Sequence, residues 1–186
     1  MKRTVFLGLF LVLLAASPAL AGIGKGNGEI GFDGGWTWFD SSVTDQTGGH
    51  GVFRGGYHVT DLFQIEGQEN CSVATDTSLG FDVDITLCAT LVDGVFNFHS
   101  QSGNVVPYVL VGVGSAKLES DAGILGTSSD TGSASVLAAG SRFFFGRHKR
   151  AAFRIELSSL TEKTFDETSS HTSLDWGFTW RLGAGK

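Results

Sequence analysis

His171, Ser173 and Asp175 stand two residues apart near the end of the chain. On an extended strand, residues i and i+2 are neighbours on one face. A histidine so placed could take the proton of a serine hydroxyl and make it a nucleophile. The orienting carboxylate would have to come from a neighbouring strand, and Glu156 is the candidate. The plainer reading is a loop histidine beside a strand-start serine, because the motif is short and its surroundings are incomplete. The five histidines are scattered without metal-ligand spacing. Two cysteines, Cys71 and Cys88, are too few for a metal site. No cofactor and no metal are expected.

The strand that must carry this motif reads Ser173 to Leu182. Leu174, Trp176, Phe178, Trp180 and Leu182 fall on one parity. Asp175, Gly177, Thr179 and Arg181 fall on the other. Strict alternation is the mark of a β-strand with two unlike faces. A soluble barrel would turn the aromatic face inward, as in a lipocalin-like fold. A membrane barrel turns it toward lipid and keeps the polar face inside. The second reading extends along the chain and fixes a second group of chemistry-bearing residues. Its inward charges are Glu29, Asp33, Arg54, His58, Glu66, Asp93, Arg142, Arg154, Glu156, Asp175 and Arg181. A narrow barrel is filled by its side chains, so these charges must pair in a network. The network either holds the barrel shut or lines a narrow polar pore.

Seven further strands precede the last. They lie near Glu29–Phe39, Gly51–Val59, 63–68, Leu87–Phe98, Pro107–Leu118, Ala134–Phe145 and 153–158. Strand 5 has Val109, Val111 and Val113 on one parity and Tyr108, Leu110 and Gly112 on the other, so its two faces cannot be told apart. The polar stretches Asp40–Gly49, Asn70–Val83, Glu119–Gly132 and Thr161–Thr172 read as four long loops. The alternate connections are short, including a basic turn at Gly146–Arg150 that reads as solvated. Long and short connections at opposite ends suit an outer-membrane barrel. If strands 3 and 4 form a hairpin, pairing Cys71 with Cys88 also pairs Phe63 with Phe96, Ile65 with Gly94 and Asp61 with Phe98. That register predicts a cross-strand disulfide in an oxidising compartment.

Composition agrees. The 27 glycines among 186 residues are about twice the usual share and, with only two prolines, suit short strands and tight turns. Lys2 and Arg3, the apolar run Val5–Ala16 and the small residues Ala19 and Ala21 form a signal peptide over residues 1–21, cleaved near Ala21. That apolar run is too short to span a bilayer as a helix. Residues 22–186 then form one domain. The net charge of −6 disfavours a nucleic-acid partner. A leader at Gly22–Gly28 looks superficially like a phosphate loop, but no strand precedes it and no helix follows.

The first strand (EIGFDGGWTWF), PYVLVGVGSAKL and the tail RFFFGRHKRAAFRIELSSL followed by WGFTWRL together resemble the small outer-membrane β-barrel domains. That family includes the barrels of the OmpA, OmpX and opacity-protein groups. The resemblance covers essentially all of residues 22–186. It implies an eight-stranded antiparallel up-and-down transmembrane barrel in a Gram-negative outer membrane. Lipid, lipopolysaccharide and the barrel-assembly machinery are the implied partners, with an external partner unspecified. Family members usually end on an aromatic residue, whereas Gly183-Ala184-Gly185-Lys186 ends this sequence. No peptidoglycan-binding domain follows, so a cell-wall tether is not implied. The His171-x-Ser173 pair is similar to that of a lipid A deacylase family, in which Asn follows the serine; here Leu174 does. The expected role is structural or surface-interactive and non-enzymatic. A narrow solute channel and a lipid A-modifying hydrolase are the alternatives.

Overall fold

The computed structural model describes residues 26–77, 81–98, 104–123, 126–146 and 149–182. The expected signal peptide, residues 1–21, and the last four residues lie outside them. The strands are β1 (Gly28–Trp38), β2 (Thr47–His58), β3 (Phe63–Asp76), β4 (Val83–Asn97), β5 (Val105–Asp121), β6 (Thr127–Phe145), β7 (Ala151–Thr164) and β8 (Glu167–Leu182). Each pairs with its sequence neighbours, and β1 pairs with β8, closing an all-antiparallel barrel. Closure leaves no unpaired edge, which a bilayer demands of any sheet that crosses it.

Register follows the side-chain alternation. Cys71 pairs with Cys88, Phe63 with Phe96 and Ile65 with Gly94. The two cysteines form a disulfide on the outer wall. Asp61 and Phe98 lie beyond the ladder, in the connections. Exposed aromatics mark the outer face. Phe32 packs on Phe53 at 4.9 Å and Trp36 on Trp176 at 4.7 Å. Phe32 is 55% exposed and Trp36 52% exposed, so the apolar parity faces out and the lipocalin-like alternative is excluded.

The stretches read as long loops are shortened: Asp40–Gly49 is mostly a connection, whereas the other three are largely strand. Strand pairing runs through most of the polar stretches read as loops, leaving connections of 39–46, 77–82, 122–126 and 165–166 at that end. The last is a two-residue hairpin whose Phe165 and Asp166 have φ of 49° and 61°. Those angles are the positive pair that a tight twisted hairpin needs. Asp130 of β6 accepts the Phe165 N–H. At the opposite end, with the termini, lie the connections 59–62, 98–104 and 146–150. Connection length therefore does not separate the ends; strand polarity does.

Midway along β4, β5 and β6 the faces exchange character. On the outside of β5, Val109, Val111 and Val113 give way to Ser115, Lys117 and Glu119. On β6, Leu137, Phe143 and Phe145 lie toward the termini, and Ser135, Ser133 and Thr131 lie beyond. Inside, the order is reversed. Arg142 on β6 and Asp93 on β4 lie toward the termini, while Leu91, Leu87, Ile85, Val136, Ala134 and Leu118 form an apolar core farther out. The barrel thus carries an apolar outer band toward the termini and, on β4–β6, a polar outer wall over an apolar interior beyond it. The orientation of β5 is settled here: Val109, Val111 and Val113 face lipid, while Tyr108 and Leu110 are buried inside.

Candidate functional site

The lumen at the level of the lipid-facing band is held by charge. Arg54 of β2 donates to Asp33 of β1 at 2.6 Å and to Glu156 of β7 at 2.8 Å. Arg154 donates to the other oxygen of Glu156 at 2.7 Å and to Glu66 of β3 at 3.2 Å. Its Nε donates to the Tyr108 hydroxyl at 2.6 Å, and that hydroxyl donates to Glu156 at 2.7 Å. Arg142 lies 3.2 Å from Glu29 and donates to Asn97 at 2.9 Å. His58 Nε2 is 3.3 Å from Glu29. The Tyr108 ring lies between Arg142 and Arg154, both guanidinium carbons within 5 Å of its centre. Gly140 makes room for that ring: a Cβ there would come within 2.3 Å of the Tyr108 oxygen. Asp93 is buried over Gly112 for the same reason. Each such charge is costly to desolvate alone and tolerable only in company. Arg181 is half-buried at the mouth nearest the termini, its guanidinium 4.1 Å from the Phe144 ring centre.

Above this network lies a cluster of hydroxyls around one histidine. Thr37 Oγ1 is 2.7 Å from Ser173 Oγ, 2.9 Å from Ser72 Oγ and 3.0 Å from His50 Nδ1. His50 Nδ1 is 2.7 Å from Ser72 Oγ, and its Nε2 is 3.3 Å from Asp175. Asp175, His50 and Ser72 therefore line up in the order of a catalytic triad. The sequence reading missed His50, which falls between the stretch Asp40–Gly49 read as a loop and the strand read from Gly51. All three side chains are buried. A nucleophile needs an open position beside it for the acyl carbon, and here the hydroxyl cluster occupies that space.

His171 does not activate Ser173. Its Nδ1 accepts the Asp40 N–H at 3.1 Å, its Nε2 is 3.5 Å from Glu162, and Phe39 packs edge-on against it at 5.3 Å. Ser173 is hydrogen-bonded to Thr37 instead. Glu156 belongs to the arginine network below. The sequence motif and its proposed carboxylate are thus divided among three separate clusters.

His171 helps to seat a cap. The 39–46 connection folds over the far end of the lumen, with Phe39 buried and Val43 packed on the apolar core. Asp40 accepts from the Ser42 amide and hydroxyl at 3.0 Å and from the Ser170 amide at 3.3 Å. The Ser42 amide foremost holds the Asp40 carboxyl below the usual carboxylate range. Thr44 donates to Asp76 at 2.6 Å. Among the described residues, no three His, Cys, Asp or Glu side chains converge to hold a metal.

The geometry has known counterparts. Neisserial surface protein A superposes with a TM-score of 0.72 at 14% identity, covering 85% of this chain and 100% of that one. The N-terminal barrel domain of Pseudomonas aeruginosa OprF gives 0.56 at 15%, covering 84% and 99%. Ail, the attachment invasion locus protein of Yersinia pestis, gives 0.51 at 17%, covering 84% and 99%. At such identities the likeness shows the fold alone. No curated protein matches the sequence. The model of the outer membrane protein beta-barrel domain matches residues 7–183. With a closed eight-stranded barrel, an aromatic outer band and a charged lumen in agreement, the chain belongs to the outer-membrane β-barrel domain family and is an outer-membrane protein.

Proposed function

We propose that this barrel is a non-enzymatic surface protein, whose water-facing extension is a rigid platform for contacts outside the membrane. The observation that carries this reading is the polarity exchange along β4, β5 and β6. Strands that end in lipid need no apolar core beyond it, whereas a projecting barrel does. The tips support the same reading. Phe81 and Phe165 are exposed at the ends of two hairpins, beside Asp82 and beside Asp166 and Glu167. A contact role is in keeping with the likeness in fold to Ail, the attachment invasion locus protein of Yersinia pestis.

A solute channel would need a continuous path through the arginine network and then the apolar core. A hydrolase would need room at Ser72 or Ser173. The test combines surface labelling with planar-bilayer recording. A short epitope inserted at 122–126 should be detected on intact cells, and the purified barrel should show no discrete conductance steps. Steps of uniform size would overturn the platform reading in favour of the channel, and an epitope hidden on intact cells would remove the projection.

A further inference from the structure

We infer that two copies of this barrel associate side by side in the membrane through the outer walls of β1–β3, the Glu69 carboxylate of each copy accepting the Trp36 indole N–H of the other. The place of Glu69 starts the argument. On the outward parity of β3 it is preceded by Ile65 and Gly67 and followed by Cys71 and Val73. Phe53 stands directly opposite on β2. Ile65, Val73 and Phe53 are all exposed on the outer wall. The carboxylate is thus bracketed by apolar groups on both sides along its own strand. Thr90 donates to it at 2.6 Å. A carboxylate accepts about four hydrogen bonds, and hydrocarbon supplies none. An ionisable group so placed in a lipid-facing wall marks a contact.

The wall beside Glu69 suits a close approach. Gly34 pairs with Gly51, and Gly55 pairs with Gly67, so bare backbone runs across β1, β2 and β3. A Cβ at Gly51 or Gly55 would meet nothing within 4 Å. In lipid, backbones that approach over small residues and polar groups that meet between them drive association.

Symmetry and register select a second copy as the occupant. A two-fold axis along the barrel axis, passing beside β2, sets β3 of one copy against β1 of the other. The row of paired residues that leaves β8 at Phe178 runs through Phe32, Phe53 and Glu69. It returns to β8 at Thr168, nearer the outer end. Rows therefore climb outward from β1 to β3, and Glu69 lies farther out than Phe32, toward Gly34 and Trp36. Trp36 is exposed on that wall, and an indole N–H is a donor only. Acceptor and donor thus meet twice across the axis, with the glycines of β2 between them. The contact lies at the level of the lipid and does not depend on the projecting end.

The experiment is cysteine crosslinking of the full chain in cell membranes with a short bismaleimide. Gly55→Cys, beside the axis, should give a crosslinked dimer of this chain. Leu137→Cys, exposed on β6 at the other side of the barrel, should not. Glu69→Leu added to Gly55→Cys should lower the yield about tenfold, as loss of two symmetric polar contacts in lipid would. Trp36→Phe, which keeps the ring and removes the N–H, should lower it similarly. Migration of unboiled samples on gels reports the folded barrel and should be the same for every variant. Equal yields at Gly55→Cys and Leu137→Cys would overturn the inference, as would an undiminished yield with Glu69→Leu. A Gly55→Cys adduct that contains a different protein would also overturn it. The comparison of the two cysteine positions stands even where Glu69→Leu folds poorly.

Discussion

The two halves of this barrel solve opposite problems with the same strands. Toward the termini, the outside is apolar and the inside is an ionic network centred on Arg54, Arg154, Glu66 and Glu156. Farther out, the outer wall is Ser, Thr and charged, and the inside of β4–β6 is Leu, Ile, Val and Ala. In lipid, association of apolar side chains within the lumen gains little over contact with the solvent outside, so polar groups hold the interior together. In water the hydrophobic effect returns, and a packed apolar core stabilises the interior at roughly 25 cal/mol per Å² buried. Under the proposed function, the position of the exchange along β4, β5 and β6 marks where the membrane ends.

The largest expected effect comes from breaking the ionic half. Glu156→Ala leaves Arg54, Arg154 and the Tyr108 hydroxyl without their shared acceptor, and removal of one partner of a buried network costs about 3–5 kcal/mol. Urea unfolding in lipid vesicles should register it as a loss of the whole barrel. Leu87→Ala in the apolar half should cost about 3 kcal/mol. Its increase in hydrogen exchange should be confined to the outer ends of β3–β5. If exchange rises equally throughout, the halves are one cooperative unit and the contrast is only compositional.

A sharper test moves one charge along the outer wall. Val111→Lys should destabilise by about 2–4 kcal/mol because the site faces lipid. Ser129→Lys, opposite Glu119, should stay within about 0.5 kcal/mol, since native Lys117 already occupies that part of the wall. Similar losses at both positions would place the lipid boundary farther out than the polarity exchange.

The smallest expected effect is a pH dependence of the cap. Burial keeps His171 below its usual 6.5, so it is neutral and accepts the Asp40 N–H. A histidine with a lowered folded pKa favours the native state above about pH 6.5, and this contribution is lost as pH falls through the folded value. Asp40, also lowered, retains its contribution until pH falls below the usual carboxylate range. Amide exchange at residues 39–46 should therefore quicken below pH 6.5. His171→Gln should remove the pH step. A step that survives this change would place the titrating group elsewhere.

Much of the barrel was legible before folding. Period-two alternation with aromatics on one parity carries both the strands and the lipid-facing side, as in Trp176, Phe178 and Trp180. The Cys71–Cys88 register was readable because one pairing sum also matched Phe63 with Phe96. The strand ends were not readable. Stretches such as Glu119–Gly132 alternate between polar and small residues, and a water-facing strand over a small-residue interior looks locally like a loop. β5 was ambiguous for a related reason: lipid on one side and an apolar core on the other leave no contrast between parities.

Sequence by itself determined the period, the strand number and the membrane-facing parity, since these depend on neighbours two apart in one chain. Tertiary structure decided which polar groups meet. His171 and Ser173 share a parity yet serve different clusters, because partners across the lumen are set by closure of β1 on β8 and by the cap. His50 reaches Ser72 and Asp175 for the same reason, from strands 22 and 125 positions away. Hydrogen bonds across a barrel join residues remote in the chain, and their short range makes them depend on positions that only the closed sheet defines.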